Sequence, residues 1–231
     1  MIGWALLILD FAAEQYRSTG QLTDSMVVSV FLQMVYIVKF FLWETGYYCS
    51  MDIQHDRAGY YLIWGCMVWL PAVYTTPTYF LTARNITLGP ILSAVYVLAG
   101  LACIFINWDA DRQRVTFRAT QGNSMVWGRR PSVVRAEYTT DDGQTKSALL
   151  LASGYWGISR HFHYLPEILA ALFWTLPAGT SHVLPFAYVI YLTCLLLDRA
   201  YRDDARCSNK YGKYWKQYCQ KVPFRIIPYL F

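Results

Sequence analysis

Tyr36 and Lys39 stand three residues apart in an apolar stretch, so on a helix both face one side. A neighbouring cation stabilises the phenolate left when a tyrosine gives up its proton, which makes Tyr36 a candidate proton donor. Glu44 follows five residues after Lys39. Charges in an apolar span are costly unless paired or hydrated. Lys39 and Glu44 therefore either line a polar cavity or pair structurally and snorkel to a helix end.

Three further arrays carry chemistry. Arg114 and Arg118 are four residues apart, behind Arg112. Two guanidinium forks on one helical face suit a phosphate; a solvated basic patch beside a membrane is the other reading. In Ser153–Tyr164, the residues Trp156, Arg160, His163 and Tyr164 fall on one face if the segment is helical. A flat ring, a fixed cation, an imidazole and a phenol suit an aromatic, multiply charged ligand such as a nucleotide. An interfacial aromatic belt is the alternative. The last array is a stripe at three- and four-residue spacing, formed by Asp203, Cys207, Lys210, Tyr211, Tyr214 and Tyr218, with Arg199 one turn before Asp203.

Asp52, His55 and Asp56 are metal ligands by type, but nothing completes a site of known spacing, so a hydrogen-bonded turn and no metal are expected. The six cysteines are scattered without a CxxC and read as free thiols. No GxGxxG, P-loop, GxSxG or HExxH is present, which excludes a Rossmann nucleotide site.

The elements that must position these residues follow from composition. Of 231 residues, 55% are hydrophobic, 17% aromatic and 15% charged, against about 25% charged in a typical soluble domain. An apolar, aromatic-rich chain excludes a disordered or nucleic-acid-binding tail and fits a multi-span membrane protein. The net charge of +5 lies wholly in the segment from Asp198 to Phe231, as expected of a cytosolic tail. The expected architecture is an all-α polytopic membrane bundle. Its spans lie at about 25–48, 58–81, 88–107, 149–177 and 182–199, with a cytosolic loop at 108–147 and an amphipathic cytosolic tail at 200–231. Within the loop, Val133–Tyr138 reads as a strand and Asp142-Gly143 as a turn. Ile2–Ala13 is apolar but shorter than the roughly 20 residues of a span, and no cleavable signal peptide is expected.

Several stretches resemble the sterol reductase family of the endoplasmic reticulum. They are Leu150-Leu151-Ala152-Ser153-Gly154-Tyr155-Trp156-Gly157, Arg160-His161-Phe162-His163-Tyr164, Arg202-Asp203-Asp204-Ala205-Arg206-Cys207, Lys210-Tyr211-Gly212 and Val222-Pro223-Phe224-Arg225-Ile226-Ile227-Pro228. Trp43-Glu44-Thr45, Asp52-Ile53 and Trp64 to Tyr74 extend the likeness over the whole chain. It is greatest to the plant-like form of the branch that reduces the carbon-7/carbon-8 double bond of 5,7-diene sterols with NADPH. The resemblance implies that this chain corresponds to the C-terminal half of such a reductase. It places NADPH contacts on Arg114, Arg118, Leu151, Trp156, His163, Tyr164, Arg199, Asp203, Cys207, Ser208, Asn209, Lys210, Tyr211 and Tyr218. It places the catalytic pair on Tyr36 and Asp203, with protonation of the diene followed by hydride transfer. Arg114 and His163 stand where other members carry Lys and Asn, and Lys39 and Cys66 where animal members carry Asp. The implied partners are a sterol substrate, the lipid bilayer and other sterol-biosynthesis enzymes, without nucleic acid. A sibling activity at a carbon-14 or side-chain double bond and a truncated, non-catalytic sterol- or NADPH-binding protein stay open as alternatives.

Overall fold

The computed structural model describes residues 1–48, 53, 59–140 and 142–230. The turn expected at Asp52, His55 and Asp56, and Cys49, lie outside the described residues. In chain order the helices of the first part are α1 (Ile2–Thr19), α2 (Asp24–Leu42), α3 (Glu44–Tyr47), α4 (Tyr60–Trp64), a π-helical turn (Gly65–Trp69), α5 (Leu70–Val73), α6 (Thr76–Thr82) and α7 (Pro90–Ala119). Strands β1 (Val133–Thr139) and β2 (Thr145–Leu151) follow, and then α8 (Tyr155–Ile158), α9 (Tyr164–Thr175), α10 (Ala187–Tyr211) and α11 (Lys213–Lys221). The fold is mostly helical, and the expectation of an all-α chain is corrected by one two-stranded antiparallel hairpin. Its register pairs Val133 with Leu151 and Thr139 with Thr145. The turn falls at the expected Asp-Gly, where Gly143 adopts φ +74° and its N–H donates to Thr140 O (2.8 Å).

Among the described residues, three helices are long and apolar enough to cross a membrane: Asp24–Leu42, Pro90–Ala119 and Leu184–Tyr211, with mean hydropathies of 1.9, 2.1 and 1.2. The other two expected spans differ. The segment from residue 60 is interrupted. Pro71 has no N–H to give to the preceding turn, and the π-helical turn lies immediately before it. The helix then ends, and Pro77 opens α6. The apolar stretch from 149 also does not form one helix. Leu149–Leu151 close β2, paired with β1, and the apolar helical run of that region is Tyr164–Ala178, shorter than a span. Thr23 caps α2 by accepting from Met26 N (3.3 Å), and Gly20 ends α1 at φ +75°, as N- and C-cap chemistry requires.

The chain divides into two compact units, Met1–Phe105 with Glu167–Thr193, and Ile106–Pro166 with Cys194–Phe231. In the first, the buried Gln15 side chain is bonded at both ends. Gln15 Nε2 donates to Leu81 O (2.8 Å), and Gln15 Oε1 accepts from Thr23 N (3.0 Å). Gly100 of α7 lies so close to Leu32 of α2 that an added Cβ would meet its methyls at 2.8 Å. On the same helix Ile91, Val95 and Leu98 remain exposed, as a lipid-facing side requires. In the second unit, Phe117, Val126, Leu151 and Trp156 form one core cluster. Val134, Trp215, Tyr218 and Val222 form another. Burying each such side chain away from water stabilises by about 1.5–3 kcal/mol.

Candidate functional site

Each unit presents one concentrated group of the expected residues. In the second unit the anchor is Trp156. Gly154, at φ +62°, opens α8 on a turn where an added Cβ would strike Gln113, and the Gln113 side chain accepts from Tyr155 N (3.1 Å). Trp156 is thereby buried, with its Nε1 donating to Ala110 O (2.9 Å). The guanidinium of Arg114 lies 4.3 Å from the Trp156 ring centroid, a stacked cation, and its Nη2 bonds Asp111 Oδ1 (3.0 Å). His163 stands 4.9 Å from the Trp156 ring and 4.4 Å from that of Tyr164. His161 stacks on Tyr164 at 5.1 Å with the ring planes 10° apart.

Asp203 joins this group through His161, whose Nε2 lies 3.7 Å from Asp203 Oδ2. The Cys207 thiol faces the same oxygen at 3.8 Å. Burial pushes the His161 imidazole down to about 4, with Arg114 and Arg160 adding to the fall and Asp203 and Asp204 opposing it. It is therefore neutral at physiological pH. His161 is a site residue that neither spacing nor the resemblance assigns; its sequence signal is its position two residues before the pair His163 and Tyr164.

The expectation that Trp156, Arg160, His163 and Tyr164 share one helical face is corrected. The helix ends at Ile158, and Ser159 is extended (φ −153°, ψ 157°). Trp156, His163 and Tyr164 still meet, because the chain turns back on itself. Arg160 instead serves the C-terminal segment: its Nη1 donates to Val222 O (3.0 Å) and Pro223 O (3.1 Å). Arg160 N bonds Phe224 O (3.0 Å), His161 N bonds Arg225 O (2.8 Å) and Ser159 Oγ bonds Ile226 O (2.8 Å). Asp204 holds Arg225 (3.0 Å) and Trp215 Nε1 (3.1 Å). The Val222–Pro228 motif thus straps the turn that carries His161.

The stripe expected through the tail is broken. The long helix α10 ends at Tyr211, and Gly212 at φ +50° starts α11. Lys210 lies over Tyr138 at 4.2 Å and Tyr211 meets Tyr138 at 5.6 Å, so this end of α10 packs on β1. Ser208, Asn209 and Lys210 are exposed, as is Arg118 at the last turn of α7. Leu151 is buried in the Trp156 cluster. The Tyr218 hydroxyl is committed to Leu151 O (3.1 Å) and Trp156 O (3.4 Å), and burial raises its pKa well above the ordinary phenol range. Arg199 is half-buried on α10. No group of three metal-ligating side chains occurs among the described residues.

The first unit holds Tyr36. Lys39 Nζ lies 5.1 Å from its ring centroid, so the two do share a face. The hydroxyl itself donates to Glu167 Oε1, a partner 131 residues away in the chain. Around the phenol stand Trp4 at 5.9 Å and Trp174 at 5.3 Å. Tyr74 and Tyr188 complete the wall, with centroids 3.9 Å apart. The frame is fixed by Trp4 Nε1 donating to Gln33 Oε1 (2.8 Å), Gln33 Nε2 to Ser29 Oγ (3.1 Å) and Ser29 Oγ to Trp174 O (2.7 Å). Glu44 lies beyond the end of α2 and accepts from Tyr48. Tyr36 belongs to the first unit and Asp203 to the second.

A family described as the ergosterol biosynthesis ERG4/ERG24 family matches residues 1–231. The chain is 55% identical over 228 residues to 7-dehydrocholesterol reductase of Arabidopsis thaliana, covering 99% of this chain and 53% of that protein. It is 39% identical over 231 residues to the Xenopus laevis protein of the same name, covering 100% and 49%. It is 37% identical over 232 residues to Delta(14)-sterol reductase of Methylotuvimicrobium alcaliphilum, covering 100% and 52%. The chain spans about half the length of these curated relatives.

Proposed function

We propose, because the chain belongs to the ergosterol biosynthesis ERG4/ERG24 family, that the protein is an NADPH-dependent reductase of the carbon-7/carbon-8 double bond of 5,7-diene sterols in the endoplasmic reticulum membrane. The observation that carries the choice of double bond is the 55% identity to a relative named 7-dehydrocholesterol reductase, against 37% to one named for a carbon-14 activity.

The second unit's residues fit a dinucleotide phosphate. Arg114 and Arg118 supply cations four residues apart on α7, and Trp156, His163 and Tyr164 supply flat faces beside Arg114. Guanidinium groups suit the 2′-phosphate that distinguishes this cofactor. Lys210 and Tyr211, at the end of α10, and the exposed Ser208 and Asn209 next to them are the further contacts we assign to it. Arg199, Asp203 and Cys207 line the same helix. Leu151 and Tyr218 support the site by packing and by the Tyr218 hydrogen bonds under Trp156. When bound, NADPH supplies the hydride.

An isolated alkene is a poor hydride acceptor, so the diene must first take a proton. Tyr36 is the donor we assign, in an aromatic frame whose faces attract a developing cation. Asp203, beside neutral His161, tunes or relays protons. Other sterol-biosynthesis enzymes are the partners this reading implies. The test is turnover of a 5,7-diene sterol and of a carbon-14 diene by the purified native protein with NADPH. Reduction of the first supports the proposal; reduction of the second alone, or of neither, overturns it.

A further inference from the structure

The Tyr36 hydroxyl carries one proton, and in this structure that proton points at Glu167 Oε1. A phenol donating to a carboxylate cannot at the same moment donate to a substrate. We propose that Glu167 is the proton store behind Tyr36: the Tyr36–Glu167 pair takes up one proton from water before turnover and gives it to the substrate through the phenol. The proposal rests on the reading of Tyr36 as proton donor to a diene sterol.

The geometry supports this in two ways. Glu167 sits in the first turn of α9, where it reaches Tyr36 across 131 residues of sequence. Tyr36 is held in place by Trp4 and Trp174, themselves fixed by Gln33 and Ser29. The phenol and carboxyl are thus positioned for each other, whereas a carboxylate with no role in proton supply would only oppose loss of the Tyr36 proton. The other titratable or charged groups facing the pair are Lys39 from α2, Tyr47 from α3, Tyr74 after α5 and Tyr188 from α10.

With Glu167 protonated, the hydrogen bond reverses, and Glu167 Oε1–H donates to Tyr36 Oη. The π electrons of the diene take the Tyr36 proton, so a C–H bond forms and the Oη–H bond breaks. Oη takes the proton of Glu167, so a new Oη–H bond forms and the Oε1–H bond breaks. Tyr36 ends neutral and Glu167 ends as a carboxylate. The positive charge lies on the sterol and is discharged by the hydride of NADPH. Water then returns a proton to Glu167. Without this relay the step would leave a phenolate and a carboxylate sharing one hydrogen-bond distance, two like charges in an apolar frame.

Glu167→Gln and Glu167→Asp, in the native protein in lipid nanodiscs, test the relay. In the unmodified protein kcat is expected to be full at low pH and to fall as pH rises and the pair loses its stored proton. Glu167→Gln keeps a hydrogen-bonding side chain but stores no proton. It is expected to lower kcat about 10²–10³-fold with the sterol KM unchanged, and to lose that pH limb. Glu167→Asp, should the amide variant fold poorly, is expected to keep the limb at reduced kcat. A second readout needs no cofactor: infrared titration of the protein should show a protonated-carboxyl band that Glu167→Gln removes. A wild-type kcat and pH profile in Glu167→Gln, or a carboxyl band unchanged by the substitution, would overturn the relay. If the unmodified protein fails to reduce the diene, the functional reading fails, while the infrared arm still decides whether the pair stores a proton.

Discussion

Replacing Arg160 with alanine should loosen the second unit's site without touching a ligand. The guanidinium is 7% exposed and donates to Val222 O at 3.0 Å and Pro223 O at 3.1 Å, with Asp204 Oδ1 at 3.7 Å. Hydrogen bonds from a charged donor contribute about 1.5–3 kcal/mol each. Asp204 keeps Arg225 and Trp215 in the variant, so the loss is set mainly by the two carbonyls. It comes to about 3–5 kcal/mol, the range seen when a buried partner is removed. That energy holds the backbone bonds from Arg160 N and His161 N to Phe224 O and Arg225 O. Hydrogen–deuterium exchange of the peptide covering residues 159–163 should therefore accelerate by about 10²–10⁴-fold. Arg160→Lys, a point charge without the fork, should recover part of the protection. An acceleration below about tenfold in Arg160→Ala would refute the view that this side chain straps the C-terminal motif to the turn carrying His161.

Two further outcomes are expected. His161 has a folded pKa of about 4 against an ordinary 6.5, so the unfolded chain binds more protons between these values. Its contribution to stability is present above about pH 6.5 and is lost as pH falls toward about 4, by of order 3 kcal/mol in all. Thermal unfolding against pH should show that limb, and His161→Gln should flatten it. The double substitution Arg114→Ala with Arg118→Ala should raise the NADPH Kd by at least about tenfold, read by calorimetric titration; an unchanged Kd would return both residues to a surface patch.

The parts of this architecture that local chemistry dictates were legible in the sequence. Asp142-Gly143 and the β-rich Val133–Tyr138 run announced the hairpin, and the spacing of Tyr36 and Lys39 placed the cation over the phenol ring. What sequence spacing cannot carry is a contact between distant segments. The Tyr36–Glu167 hydrogen bond joins residues 131 positions apart, and nothing near Glu167 marks it as a phenol's partner. Arg160 shows the opposite failure. Its type and spacing matched the Trp156 face, but the extended Ser159 ends the helix early. The cation over Trp156 is Arg114, from a different element. The long apolar run from 149 departs from the expected span for a related reason: a strand buried by its neighbour and a helix share the same apolar composition.

On the reading we propose, this protein moves a hydride from NADPH to a protonated 5,7-diene sterol. The most direct measurement is mass-spectrometric analysis of the sterol product formed by the purified native protein with NADPH deuterated at the transferable position. One deuterium should be retained in a product that has lost the carbon-7/carbon-8 double bond, and Tyr36→Phe should give no such product. A reduced product without deuterium, or full conversion by Tyr36→Phe, would contradict it.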